Sequence, residues 1–135
     1  MAAVDAQAKL ARQLDGTIDG LRAVQIAGSD AGVEAGVLNK AMEKLTSRLG
    51  EAMEGTGEAA KALEMLGLNA ETLAGMDIDD RIAAIADRMK EMNLSAAEAG
   101  NALRDLGIRN GEIINLMRQG GDAISAAKDE LRAFG

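Results

Sequence analysis

Apolar residues in this chain return at intervals of three and four. Ile78, Ile82, Ile85, Met89 and Met92 keep that rhythm, and Leu38, Met42, Leu45, Leu49 and Met53 nearly repeat it. Leu10, Leu14, Ile18 and Leu21 begin a third series near the N-terminus. Such spacing collects side chains on one face of an α-helix, whereas a half-buried strand alternates at every second residue. No stretch alternates in that way. The pattern predicts an all-α fold, a small multi-helix array of short helices joined by glycine stops, with longer helices in the N-terminal third.

The helix ends follow from punctuation. There is no proline and there are 16 glycines, so glycine carries the strong local signals. Asp77 and Asp80 have capping-box spacing, with Asp in place of the usual Glu, and Ser95 with Glu98 forms the regular version. Gly67 and Gly107 each follow a leucine and precede Leu68 and Ile108. That is the pattern of a left-handed C-terminal cap, where glycine avoids a steric cost and the next apolar residue folds back. The expected helices are 5–27, 31–54, 58–66, 70–75, 78–92, 96–106, 111–119 and 122–134. They divide the chain into 1–54, two longer helices forming a hairpin or an extension, and 55–135, a compact array of short helices.

A weak repeat runs through that array. Glu58-Ala59 through Leu66-Gly67-Leu68 matches Glu98-Ala99 through Leu106-Gly107-Ile108 at an offset of 40 residues, and Leu73 and Ile113 continue the register. The match is either a structural echo or chance similarity in a chain rich in Ala and Leu. Two copies are too few for a solenoid.

Composition narrows the function. Hydrophobic residues make up 47% of 135 residues but aromatics only 1%, Phe134 alone, so the core is aliphatic and pocket-forming aromatics are lacking. The net charge of −7 arises in residues 51–135, with sixteen acids against nine bases; residues 1–50 balance at six each. No basic stripe is present to hold a phosphate backbone, which argues against nucleic acid as a partner. Cysteine and histidine are absent, which removes the ligands that zinc, copper and iron prefer. Nothing near the N-terminus resembles a signal peptide, and no apolar run is long enough to span a membrane.

Candidate chemistry is thin. Gly55-Thr56-Gly57-Glu58-Ala59-Ala60 fits the G-x-G-x-x-A form of the dinucleotide fingerprint, with Asp77 and Asp79 downstream. That motif needs a preceding strand, and Leu45 to Glu54 reads as helix. Asp77, Asp79 and Asp80 suggest calcium, but an EF-hand loop started at Asp77 puts Ile82 at the glycine position and Arg88 at the bidentate glutamate position. Acids in a first helical turn are explained by the helix dipole. The same cluster would serve a hydrolase only if its carboxylates converged in a pocket with raised pKa values. Ser29, Ser47, Ser95 and Ser125 have no histidine to activate them. No catalytic, cofactor-binding or metal residue is therefore assigned, no cofactor or small-molecule substrate is expected, and the chain reads as non-enzymatic.

Gly16, Gly20, Gly28, Gly32 and Gly36 are spaced by fours and would line one bare face if 16–36 were a single helix. A break at Gly28-Ser29-Asp30, with Ser29 or Asp30 as N-cap, is the favoured reading, because each interior glycine costs about 1 kcal/mol against alanine. Met42, Met53, Met89 and Met92 read as core, with an adaptable binding surface as the alternative.

Several stretches together resemble a known family. They are Leu38-Asn39-Lys40-Ala41-Met42-Glu43-Lys44-Leu45, Gly55 through Leu63, Leu66-Gly67-Leu68-Asn69-Ala70, Ile82 through Met89, Leu106-Gly107-Ile108 with Ile113-Ile114-Asn115-Leu116, and Gly120 to Gly135. In order and spacing, Leu38 to Phe134 resembles a module of the tail tape measure proteins of long-tailed bacteriophages and prophages. The resemblance implies a structural role in the helical ruler that sets tail length. It implies a place inside the tail tube of a virion assembled in the host cytoplasm. The implied partners are tail tube, assembly chaperone and tail tip proteins, or further copies of the chain. Tape measure chains are long, and this one ends at Ala133-Phe134-Gly135 inside a helical pattern, which implies a segment or a shortened relative. The competing expectation is a stand-alone helical adaptor that holds an amphipathic helix in a Met-lined groove.

Overall fold

The computed structural model describes residues 2–134; Met1, Gly135 and the side chains of residues 2–4 and of Phe134 lie outside the description. The described residues form an all-α array with no strand. Its helices are α1 (Ala2–Gln13), α2 (Ile18–Asp30), α3 (Ala35–Met53), α4 (Gly57–Leu66), α5 (Ala70–Ala74), α6 (Ile78–Glu91), α7 (Ala96–Asp105), α8 (Gly111–Arg118) and α9 (Asp122–Phe134).

Helix α6 is the hub. It packs against α2, α4, α5, α8 and α9, and the predicted stripe of Ile78, Ile82, Ile85 and Met89 is buried along it. Around it, α2 lies on α9, α3 on α4 and α5, and α7 on α4 and α8. One aliphatic core cluster runs from Ala11 to Ala127, so residues before and after position 55 share it.

The predicted ends hold where they are local. Ser95 and Glu98 form the full capping box at the start of α7. Gly67 (φ +71) and Gly107 (φ +88) are left-handed, and the amides of Leu68 and Ile108 reach back to the carbonyls of Leu63 and Leu103 at 2.9 and 2.7 Å. Two non-glycine residues, Asp15 (φ +56) and Asn93 (φ +55), stop helices in the same way, with Gly16 N–H bonded to Ala11 O and Leu94 N–H to Met89 O. Glycine therefore does not punctuate alone. Asx side chains tolerate the left-handed region better than most.

Four expectations are corrected. The helix predicted over 5–27 is broken at Asp15-Gly16-Thr17 into α1 and α2, which leaves Ile18 exposed while Leu14 and Leu21 are buried. The second break is not at Gly28-Ser29-Asp30: α2 runs through these residues, Gly32 (φ +84) is the stop, and Glu34 is the N-cap of α3. Gly28 is helical, and a Cβ there would lie 2.7 Å from Leu38 Cδ2, so the bare backbone makes room for that side chain. Third, the capping box at Asp77 does not form: the carboxylate accepts from Ile78 N–H, and Asp80 is exposed. Fourth, Met53 lies outside the core at 47% exposure, while Met42 and Met89 are buried.

The 40-residue echo is visible in the backbone, as a ten-residue helix, a left-handed glycine and a shorter helix, α4–Gly67–α5 and α7–Gly107–α8. The register slips after the glycine. Asn69 caps α5 by accepting from Thr72 N–H, and Asn110 caps α8 by accepting from Ile113 N–H, so the second copy has one more linker residue.

Candidate functional site

The densest polar chemistry lies where α6 begins, at a residue the periodicity passes over. Arg81 is 2% exposed inside the core. Its guanidinium reaches the carbonyl just past α1, the last two carbonyls of α5 and the turn after α5. Nε donates to Leu73 O at 3.0 Å; one terminal nitrogen donates to Leu14 O at 3.2 Å and Thr46 Oγ1 at 3.4 Å; the other donates to Ala74 O at 3.4 Å and Met76 O at 3.0 Å. Arginine has five N–H donors in a fixed fork, and here five acceptors receive them. Burial pulls the Arg81 pKa down, and the nearby Asp15 and Asp77 charges oppose that pull. With every donor engaged, Arg81 is a structural clamp and offers nothing to an anionic ligand.

Asp77 completes the clamp. Its carboxylate accepts from Thr17 N–H at 2.8 Å, from the Thr17 hydroxyl and from Ile78 N–H at 2.8 Å. Gly20 approaches so closely that a Cβ would lie 2.5 Å from Asp77 Oδ1, and one at Gly16 would collide with Ile78. The kink between α1 and α2 is thus moulded around the N-terminus of α6. Partial burial alone would raise the Asp77 pKa, but the Thr17 and Ile78 hydrogen bonds and the Lys128 charge outweigh it and hold the group below its usual value. Asp79, 2% exposed, pairs with Lys128 Nζ at 3.0 Å, and Asp77 stands 3.7 Å from the same nitrogen. Burial would lower the Lys128 pKa; the hydrogen bond and charge of Asp79, with Asp80 and Asp77 behind, raise it instead.

The three aspartates therefore do not gather around one vacant point. Asp77 faces Thr17, Asp79 faces Lys128, and Asp80 faces solvent. Among the described residues no group of three or more Asp or Glu side chains is arranged to hold a metal ion. The shift at Asp77 is downward, the direction opposite to a carboxyl prepared as a general acid. Gly55 and Thr56 link α3 to Gly57, the first residue of α4; helix rather than strand precedes them, and Glu58 occupies the first turn that a pyrophosphate would need. Ser29, Ser47 and Ser125 are exposed, and Ser95 is an N-cap.

Elsewhere Arg88 Nε caps α4 by donating to Leu66 O at 2.6 Å, and Asp87 accepts from Gly121 N–H at 2.6 Å before α9. Gln7, Gln25 and Asn39 form an amide ladder across α1, α2 and α3. No buried side-chain nitrogen or oxygen among the described residues lacks a partner. Arg81 and Lys128 escaped the sequence reading because their partners lie up to 67 residues away. The one hint was a cation within the buried Ile78–Met89 stripe.

Two surface grooves adjoin at the C-terminal end of α7. One, about 350 Å³, lies between α4 and α7 and is lined by Ala62, Met65, Leu94 and Ala102 with Lys61, Glu98 and Asp105; Met65 is 47% exposed. The other, about 210 Å³, lies where the α7–α8 loop crosses α3 and is lined by Val37, Lys40, Ala41, Lys44, Gly107 and Arg109. No described helix is long and apolar enough to cross a membrane. No protein-family model, curated protein or solved structure matches the chain.

Proposed function

We propose that this chain is a structural module of a phage or prophage tail tape measure protein, part of the helical ruler around which a tail is built. The sequence resemblance over Leu38 to Phe134 is its first support. The observation that carries it is the saturation of Arg81: a buried charged side chain ties helix ends together and leaves no donor for a ligand. A module whose polar interior serves only its own packing suits a scaffold better than a catalyst. Its longest helix, α3, has 19 residues and spans roughly 28 Å at 1.5 Å per residue. The module would be a compact bead within the ruler, with length measured by other parts.

Mass spectrometry of purified tailed particles from the source culture tests this. Peptides of this chain should co-purify with tail tube protein through a density gradient. Intact tailed particles lacking those peptides would overturn it. The adaptor reading draws on the α4–α7 groove with its exposed Met65 and predicts a chain that captures an amphipathic helix and is absent from particles.

A further inference from the structure

The basic α3 groove and the net acidic α4–α7 groove adjoin. Lys40 and Lys44 stand one turn apart on α3, with Arg109 opposite them and Val37, 38% exposed, at the end of the stripe. None of the three cations has a hydrogen-bond or ion-pair partner among the described residues, whereas nearby Arg48 is held by Glu51 at 3.3 Å. The α4–α7 groove offers Met65 and Leu94 with Glu98, Asn101 and Asp105 along one face of α7; its one cation, Lys61, stands 3.7 Å from Glu58, and Glu98 also closes the capping box with Ser95. Asp105 occupies the last turn of α7, where the helix dipole disfavours an acid, and it too is unpaired. A position that costs the isolated helix stability without an internal partner is where an external one is expected. Asp105 ends one groove and Gly107 lines the other, so the basic and acidic halves meet across Leu106.

We propose that the occupant of the basic α3 groove is a second copy of this chain, presenting the acidic α4–α7 face around Asp105. Two abutting halves of opposite charge, each with an exposed apolar residue, make a self-complementary patch of the kind a two-fold contact uses. The three unpaired cations and Asp105 then find partners at once. Nucleic acid fits poorly, since the groove supplies only three cations and the adjoining Glu98 and Asp105 would repel phosphate. This pairing stands on the surface alone and does not rest on the tail reading; a chain absent from every particle would still associate.

The test is a charge swap read by light scattering. Salt titration is a poor substitute, because each copy carries −7 and screening weakens the global repulsion along with the local attraction. Wild-type mass should rise with concentration from the 14.0 kDa monomer toward twice that value or beyond. Lys40→Glu/Lys44→Glu and Asn101→Lys/Asp105→Lys should each stay monomeric, and their equimolar mixture should associate again. All four positions leave the core untouched, and circular dichroism reports whether each variant keeps its helix. Where one does not, Lys40→Gln/Lys44→Gln or Asp105→Asn is read by itself and should stay monomeric. A wild type that stays monomeric at its solubility limit, variants that associate like wild type, or a mixture that fails to recover overturns the proposal.

Discussion

Replacing Arg81 with Met removes the guanidinium while keeping a side chain of similar reach. Three backbone carbonyls, of Leu14, Ala74 and Met76, and the Thr46 hydroxyl then lose their donor, while Leu73 O keeps the Met76 N–H at 3.1 Å. A buried acceptor left unpaired costs about 1–3 kcal/mol. Of the three carbonyls, that of Leu14 sits in a fully buried bond, while those of Ala74 and Met76 are part-buried. A cleft of about 80 Å³ bounded by Asp15, Thr46 and Met53 lets water reach some of them. Against that loss, the substitution relieves the desolvation of a buried cation, worth several kcal/mol. The net expectation is on the order of 3 kcal/mol of destabilisation. For a domain of this size that corresponds to a fall of roughly 10 °C in Tm. Urea unfolding followed by circular dichroism measures it. Arg81→Lys is the decisive companion, because lysine keeps the charge but has three donors on one nitrogen and cannot span five acceptors. It should lose most of the same stability. If Arg81→Met unfolds within about 1 kcal/mol of wild type, or Arg81→Lys is indistinguishable from it, the clamp argument fails.

Other expectations follow from single positions. Gly107→Ala must hold a Cβ at φ +88 and 2.9 Å from Lys44 Cβ, whereas at Gly67 the nearest atom is the flexible Arg88 end at 3.5 Å. Both should lose about 1–2 kcal/mol from the left-handed backbone, with Gly107→Ala clearly the worse in thermal melts. Ser95→Ala breaks the capping box of α7 and should cost about 1 kcal/mol, seen as faster amide exchange in the first turn of that helix. The ionic cluster predicts a pH window. Asp77 is depressed from 3.8, so its stabilisation is present above that pH and lost as pH falls through the lower folded value. Lys128 is raised from 10.5, so its contribution is complete below that pH and lost as pH rises through the higher folded value. Asp77→Asn should flatten the acid limb of a stability–pH curve and leave the middle of the window level.

What the chain's sequence determined by itself is whatever depends on residues within a turn or two of one another. The Ile78–Met89 stripe needs only the 3.6-residue period, the Ser95–Glu98 box only a three-residue reach, and the Gly67 and Gly107 stops only a missing Cβ beside an apolar residue. Helix content, most helix boundaries and the aliphatic core were therefore readable, and so was the failure of the fingerprint at Gly55, since a helix precedes it. Tertiary structure alone decided the break at Asp15-Gly16-Thr17, because its stabilising groups, Asp77 and Arg81, arrive from α6 across 60 residues or more. It decided equally that Asp79 meets Lys128 on α9 and that Met53 and Met65 face outward. Hydrogen bonds and close packing act over a few ångströms of space whatever the separation along the chain, so only the assembled fold says which distant residues share that space.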